Sequence, residues 1–243
     1  VLLLPQSTLV MMFLVMAVVL VIRPFGLLGK PELVGHGRQM LDDPMRPATW
    51  RFIALGVALV AALAAAPLYL GTYGLVLLID ILILALFATA LHAVIGPGGL
   101  VSFGHAAFFG GGAYAAALLV KYAATPMELN LLLAPPAAAL LAIVIGWFCV
   151  RLSGVYFAML TLAFAQIVWS IVFQWGEVTG GDDGILGVWR SPWANSRLAY
   201  YYLVLGCCVA GILAIRHGLA SPFGYALRAG RDSPLRAEAI GID

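Results

Sequence analysis

Charge is what this sequence has least of. Asp, Glu, Lys and Arg make up 10% of its 243 residues, against roughly a quarter in a soluble globular domain. Beside them stand 63% hydrophobic residues, more apolar surface than a soluble fold of this size can hide. Cysteine is nearly absent too. Cys149, Cys207 and Cys208 lie in apolar stretches without C-x-x-C spacing and point to neither a disulfide framework nor a zinc site. The net charge of +2 is too small to imply a nucleic-acid partner. Catalytic signatures are missing as well. No histidine is followed by Glu in H-E-x-x-H register, and Gly99-Leu100-Val101-Ser102-Phe103-Gly104 has the wrong spacing for a nucleophile elbow. Gly29-Lys30 lacks the upstream glycine and the following Ser or Thr of a P-loop. The chain reads as no enzyme, with no ATPase motif and no cofactor of its own.

Long apolar runs fill the space that charge leaves. They cover residues 2–22, 52–70, 75–95, 106–120, 131–150, 155–175 and 198–215. A helix needs about 20 mostly apolar residues to cross a hydrocarbon core of roughly 30 Å, so each run is long enough, or nearly so. The first differs from a signal peptide because no basic region precedes it and Arg23 follows it. The expectation is an all-α, polytopic transmembrane bundle with about seven spanning segments. Charge sets its orientation. With the polar stretch 23–51 placed in the cytoplasm, alternation puts Arg23, Lys30, Arg38, Arg46, Arg51, Arg151, Arg216, Arg228, Arg231 and Arg236 inside, and leaves Lys121, Arg190 and Arg197 outside.

The interruptions between runs carry the remaining information. Gly96-Pro97-Gly98-Gly99, followed by 100–105, breaks the chain at a membrane boundary. Such a break is tolerated where backbone is buried in protein or lines a wet cavity. It reads either as backbone facing a path, with Gly98, Gly99, Ser102 and His105 at hand, or as a tight turn. Ala107, Gly111 and Ala115 then form a stripe of small residues at i, i+4 and i+8 that admits another helix closely. Asp80 is the one acid within an apolar run. It reads as a functional intramembrane carboxylate or as a hydrated group near the outer end of its helix. Thr179-Gly180-Gly181-Asp182-Asp183-Gly184 falls outside by the same alternation. Ser221-Pro222 and Ser233-Pro234 each pair an N-cap with proline at the first helical position, predicting two short helices in the last polar stretch. Phe223 with Leu227, and Leu235 with Ala239, would give them narrow apolar faces while the arginines stay solvated.

Three blocks together resemble the LivM-type permeases of branched-chain amino-acid ABC importers. They are GPGGLVSFGHAAFFGGGAYAAALL at 96–119, RLSGVYFAMLTLAFAQIVWSIVFQWGEVTGGDDGI at 151–185 and SPFGYALRAGRDSPLRAEAIGID at 221–243. Leu100 stands where that family often has glutamine, and His92 where asparagine is common. The opening segment LLLPQSTLVMMFLVMAVVLVIRPFGLLGK at 2–30 is similar instead to the last helix and tail of the LivH-type partner permease. The resemblance thus implies a fused pair: a LivH-type tail at 1–32, a cytoplasmic linker at 33–50 and a LivM-type permease at 51–243. Such a permease would continue past Asp243 with further spanning helices.

The resemblance also implies how the parts work. Segment 221–243 would be the coupling loop that docks on separate ATPase subunits, with Phe223, Leu227, Arg231, Arg236, Glu238 and Gly241 as contacts; the alternative is a basic stretch held by anionic lipid. Thr179, Gly180, Gly181 and Asp182 would help close the outer gate or meet a periplasmic or lipid-anchored substrate-binding protein, unless the loop is an ordinary solvated one. A second permease half, membrane lipid and a small amino-acid substrate complete the implied partners, in the bacterial plasma (inner) membrane. A relative that imports urea or short-chain amides is the nearest alternative. An ion-coupled secondary transporter using Asp80 and His105 is the more distant one.

Overall fold

A computed structural model describes residues 7–23, 49–152 and 154–242. Most of the expected linker, up to residue 48, and the part of the LivH-type tail that follows Arg23 lie outside the described residues. The described residues form helices and no strand: α1 (Ser7–Ile22), α2 (Trp50–Ala65), α3 (Thr72–Ile95), α4 (His105–Ala123), α5 (Met127–Cys149), α6 (Gly154–Gln174), α7 (Gly176–Thr179), α8 (Arg197–Ala220), α9 (Pro222–Asp232) and α10 (Pro234–Ala239). Six stretches are long and apolar enough to cross a membrane: Trp50–Leu68, Thr72–Ile95, His105–Ala123, Met127–Cys149, Gly154–Gln174 and Arg197–Ala220. α1 is apolar but shorter, at 16 residues. Each of the seven apolar runs therefore corresponds to one helix. Their outer surfaces stay apolar and uncovered, and α2 buries none of its residues, as befits helices solvated by lipid rather than water.

The chain divides into two compact units, one of residues 1–33 and 100–191, the other of residues 34–99 and 192–243. In the first, Ala17 and Leu20 of α1 pack with Ile145 and Cys149 of α5, Leu152, and Phe157, Leu160 and Ala163 of α6. The isolated opening helix thus finds a partner within this chain. α4 lies along α5 at the small-residue stripe: a Cβ on Gly111 would meet Leu141, and one on Gly112 would press on Ala138 and approach the Ala134 carbonyl. Facing glycine with alanine brings the two backbones close, which is what holds helices together where no hydrophobic effect operates. α5 carries Pro135 and Pro136 in its interior.

In the second unit α3 packs on α8 through Leu75, Ile79 and Leu82 against Tyr201, Leu205 and Cys208. Gly211 admits the Leu86 side chain. α2 joins them through hydrogen bonds. Pro67, in the 3₁₀ turn after α2, lacks the N–H that would continue the helical bond to the Leu63 carbonyl, which accepts from the Ala66 amide as well. Tyr201, fully buried, donates its hydroxyl to that carbonyl at 2.7 Å, and Tyr202 donates to the Ala64 carbonyl at 2.9 Å. Cys208 donates to the Leu82 carbonyl at 3.3 Å.

Removing the Tyr201 hydroxyl leaves its ring packing intact but takes away a donor that water does not replace within the bilayer. Tyr201→Phe is expected to destabilise the protein by about 1 kcal/mol, read as a lower thermal midpoint in detergent, with a smaller effect from Tyr202→Phe because that ring is exposed.

Candidate functional site

Three places bring together residues singled out by the sequence. The first, in the second unit, is the chain end around α9 and α10. Pro222 and Pro234 start the two helices as expected, but neither serine caps through its side chain. Ser221 Oγ instead donates back to the Gly218 carbonyl at 2.6 Å. The corner from α8 into α9 is closed by Gly224, where any Cβ would overlap the backbone of Leu219. Phe223, Leu235 and Ile240 are more than two-thirds exposed and Tyr225 about half, so these helices turn apolar groups outward. Arg236, Glu238 and Gly241 are exposed among them, and Leu227 is half-buried. Gly241 has φ +83° after α10, a conformation that favours glycine.

Arg231 departs from the expectation that the arginines stay solvated. Its side chain is 24% exposed and pairs with Asp232 at 2.8 Å, while Nη1 donates to the Gly96 carbonyl at 2.8 Å. It therefore points at the end of α3. Gly96 is the C-cap of that helix, where the carbonyl end of the helix dipole favours a cation. Gly99, at φ +66°, lies under the Arg231 stem, and a Cβ there would overlap it.

The second place is the segment 100–104 in the first unit. The Phe103 amide donates to Thr161 Oγ1 at 3.2 Å, and that hydroxyl donates to the Ala158 carbonyl at 2.8 Å. Gly104 faces the Thr161 carbonyl so closely that a Cβ would collide with it. Thr161 is seven residues beyond the start of α6, roughly 10 Å along the helix. Non-helical backbone is thus held at membrane depth against α6, the situation in which such backbone is tolerated. Ser102 is buried, and the His105 ring, at the start of α4, sits edge-on to Phe108 at 6.3 Å. Of the four residues singled out at the break, Gly98 and Gly99 fall in one unit and Ser102 and His105 in the other.

The third place is the loop after α6. Thr179 is buried, with Oγ1 within hydrogen-bond distance of the Val172 and Trp175 carbonyls. Gly180, Gly181 and Gly184 all have positive φ, and Gly180 is pressed against the Gly184 carbonyl. These residues shape the loop itself. What it presents outward is Asp182 and Asp183, both exposed. Lys121, at the end of α4, donates to the Val178 carbonyl at 3.0 Å and lies over the Tyr122 ring at 5.3 Å. That bond puts Lys121 and the 176–184 loop at the same end of the unit, as the alternation of charge requires.

Asp80 stands exposed on α3, eight residues beyond its start at Thr72, or about 12 Å along the helix. This is deeper than the apolar run beginning at 75 implied, because α3 starts earlier. Among the described residues no cluster of His, Cys, Asp and Glu is arranged to hold a metal ion.

Sequence reasoning missed Thr161, Gly104 and Gly224. A hydroxyl in the apolar run 155–175, shared there with Tyr156 and Ser170, was the available signal for Thr161. For the two glycines nothing local distinguished a tight contact from a turn.

Apolar spanning helices, a broken segment held against α6 and an amphipathic segment after α8 define a multi-pass helical membrane protein. The sequence profile described as branched-chain amino acid transport system / permease component matches residues 73–243, and the chain belongs to that family. Among curated proteins it is similar to the high-affinity branched-chain amino acid transport system permease protein LivM of Salmonella typhimurium, 28% identical over 190 residues, and of Escherichia coli, 29% identical over 190 residues. Each match covers 66% of this chain and 44% of the relative, so the chain spans under half the length of the curated relatives it matches. No solved structure matches it.

Thr161→Val removes the acceptor of the Phe103 amide with little change in volume and is expected to destabilise the protein by about 1 kcal/mol. Gly104→Ala forces the segment off α6 and is expected to be the more damaging of the two. Thermal unfolding in detergent compares them, and an unchanged midpoint in both variants would show that the segment is not held by α6.

Proposed function

We propose that this chain is part of the membrane-spanning permease of an ATP-driven importer for branched-chain amino acids: leucine, isoleucine and valine. Family membership over 73–243 supports the transport role, and the relatives' printed names supply the substrate class. The chain end supplies the observation that carries the mechanism. α9 and α10 follow the spanning helix α8, yet expose Phe223, Leu235 and Ile240 beside Arg236 and Glu238. A short helix with apolar anchors and a charged rim is the form taken by a segment that inserts into a partner's groove.

In this reading ATP is hydrolysed on separate subunits, which dock on α9 and α10 in the cytoplasm through Phe223, Leu227, Arg236, Glu238 and Gly241. The chain needs no cofactor. The segments 23–51 and 216–243 face the cytoplasm and the 176–184 loop faces outward, in the plasma (inner) membrane of a bacterium. There a substrate-binding protein would deliver its cargo, with Asp182 and Asp183 as the exposed acids. A second permease half completes the path, and the backbone near Ser102 and His105 would contribute to its wall. ATP binding would draw the ATPases together, shift α9 and α10, and tilt the spanning helices so that the path opens to alternate sides.

Leu235→Asp and Phe223→Asp place charge on the exposed anchors without disturbing the buried face of either helix. Each is expected to reduce co-purification of the ATPase subunits about tenfold or more while the thermal midpoint of the permease stays within 1–2 °C, about the range of an exposed substitution. Uptake of labelled leucine into vesicles holding the assembled transporter tests the substrate. ATP-dependent uptake of urea but not leucine would overturn the amino-acid assignment.

A further inference from the structure

We propose that Arg231 is a positioning residue through which a displacement of α9 is passed to the end of α3, with the 96–99 turn as the receiving element. The inference rests on the reading of α9 and α10 as the docking segment and adds which residue carries motion away from it. The geometry is specific. Nη1 holds the Gly96 carbonyl at 2.8 Å, while Nε and Nη2 each hold Asp232 Oδ1 at 2.8 Å. The planar guanidinium is therefore fixed from both sides, and its stem rests on Gly99, where only the absence of a Cβ leaves room.

The other end of α9 is anchored independently. Gly224 packs into the Leu219 backbone at the α8 corner, and α8 itself lies along α3. α9 thus joins the ends of two packed helices, one by a covalent corner and one by Arg231. Without the arginine, a push on α9 would turn the corner on α8 and leave the α3 end behind. An apolar contact at this place could slide, whereas a forked donor bonded to a C-cap carbonyl and a neighbouring carboxylate defines one position. Lysine would keep the charge and most of the stem but present a point charge in place of the fork.

The test uses the complete transporter, with its ATPase subunits and binding protein, in vesicles, and reads leucine uptake per ATP hydrolysed. Loss of folded molecules lowers uptake and hydrolysis together and leaves this ratio unchanged. Arg231→Ala is expected to keep the ATPase subunits bound and to lower the ratio about tenfold. Gly99→Ala, which displaces the arginine without altering α9, is expected to do the same. The double variant should be no worse than either alone, and Arg231→Lys should fall between wild type and Arg231→Ala. A wild-type ratio in both single variants, or losses that multiply in the double variant, would overturn the link. So would release of the ATPase subunits by Arg231→Ala, which would put the residue on the docking surface instead. Should Arg231→Ala fail to accumulate in the membrane, Arg231→Lys and Gly99→Ala carry the test by the same criteria. The docking reading fails separately, if Leu235→Asp retains the ATPase subunits.

Discussion

Within hydrocarbon, a carbonyl or amide that leaves a helix finds no water, and each one must be met by another part of the protein. Much of this molecule follows from that constraint. Where Pro67 ends α2, the hydroxyls of Tyr201 and Tyr202 reach across from α8 to the last carbonyls. Where the chain resumes after the 96–99 turn, Thr161 accepts the Phe103 amide. Near the helix ends, where charge is tolerated, the same kind of tie recurs: Lys121 meets the carbonyl of Val178 at the end of α7, and Arg231 that of Gly96 at the end of α3. The breaks are therefore not slack points between rigid helices. They are places where one helix is tied to another by a side chain of matching chemistry.

Between the ties, helices approach by shape. Lipid is as apolar as leucine, so burying more leucine holds nothing together, and close contact depends on small residues. Gly111 and Gly112 against α5, and Gly211 against Leu86, supply it. The large apolar side chains mostly face outward: Leu55, Val57 and Leu59 of α2, and Leu132, Leu140 and Ile143 of α5, are all exposed. This inverts the pattern of a water-soluble core and accounts for a composition so poor in charge.

The segment after α8 is built differently from the spanning helices. α9 separates its faces sharply, with Gly224 buried and Arg231 turned inward while Phe223 and Tyr225 stay exposed. In the docking reading, a partner would cover this exposed apolar surface. The same helix is bound to α3 and α8 on its other face, so contact made on one side has a structural route into the spanning helices.

The seven apolar helices, the two proline-started helices at the end and the close approach at Gly111 were all legible from sequence. Each is dictated locally, by run length, by a residue's missing N–H or by the size of a side chain. The start of α3 at Thr72 lies outside the apolar run, where hydropathy no longer marks the helix, so Asp80 stands farther from that start than the run implied. What sequence left open were the partners across long separations. Thr161 meets Phe103 58 residues away and Arg231 meets Gly96 135 residues away, and nothing near either residue names the other. In the same way an arginine near the chain end is chemically suited both to water and to a helix C-terminus. Only the corner at Gly224, which swings α9 back toward α3, decides for Arg231 between the two. Local chemistry determined that this chain crosses a membrane and where its helices break, while tertiary packing decided which break each polar side chain closes.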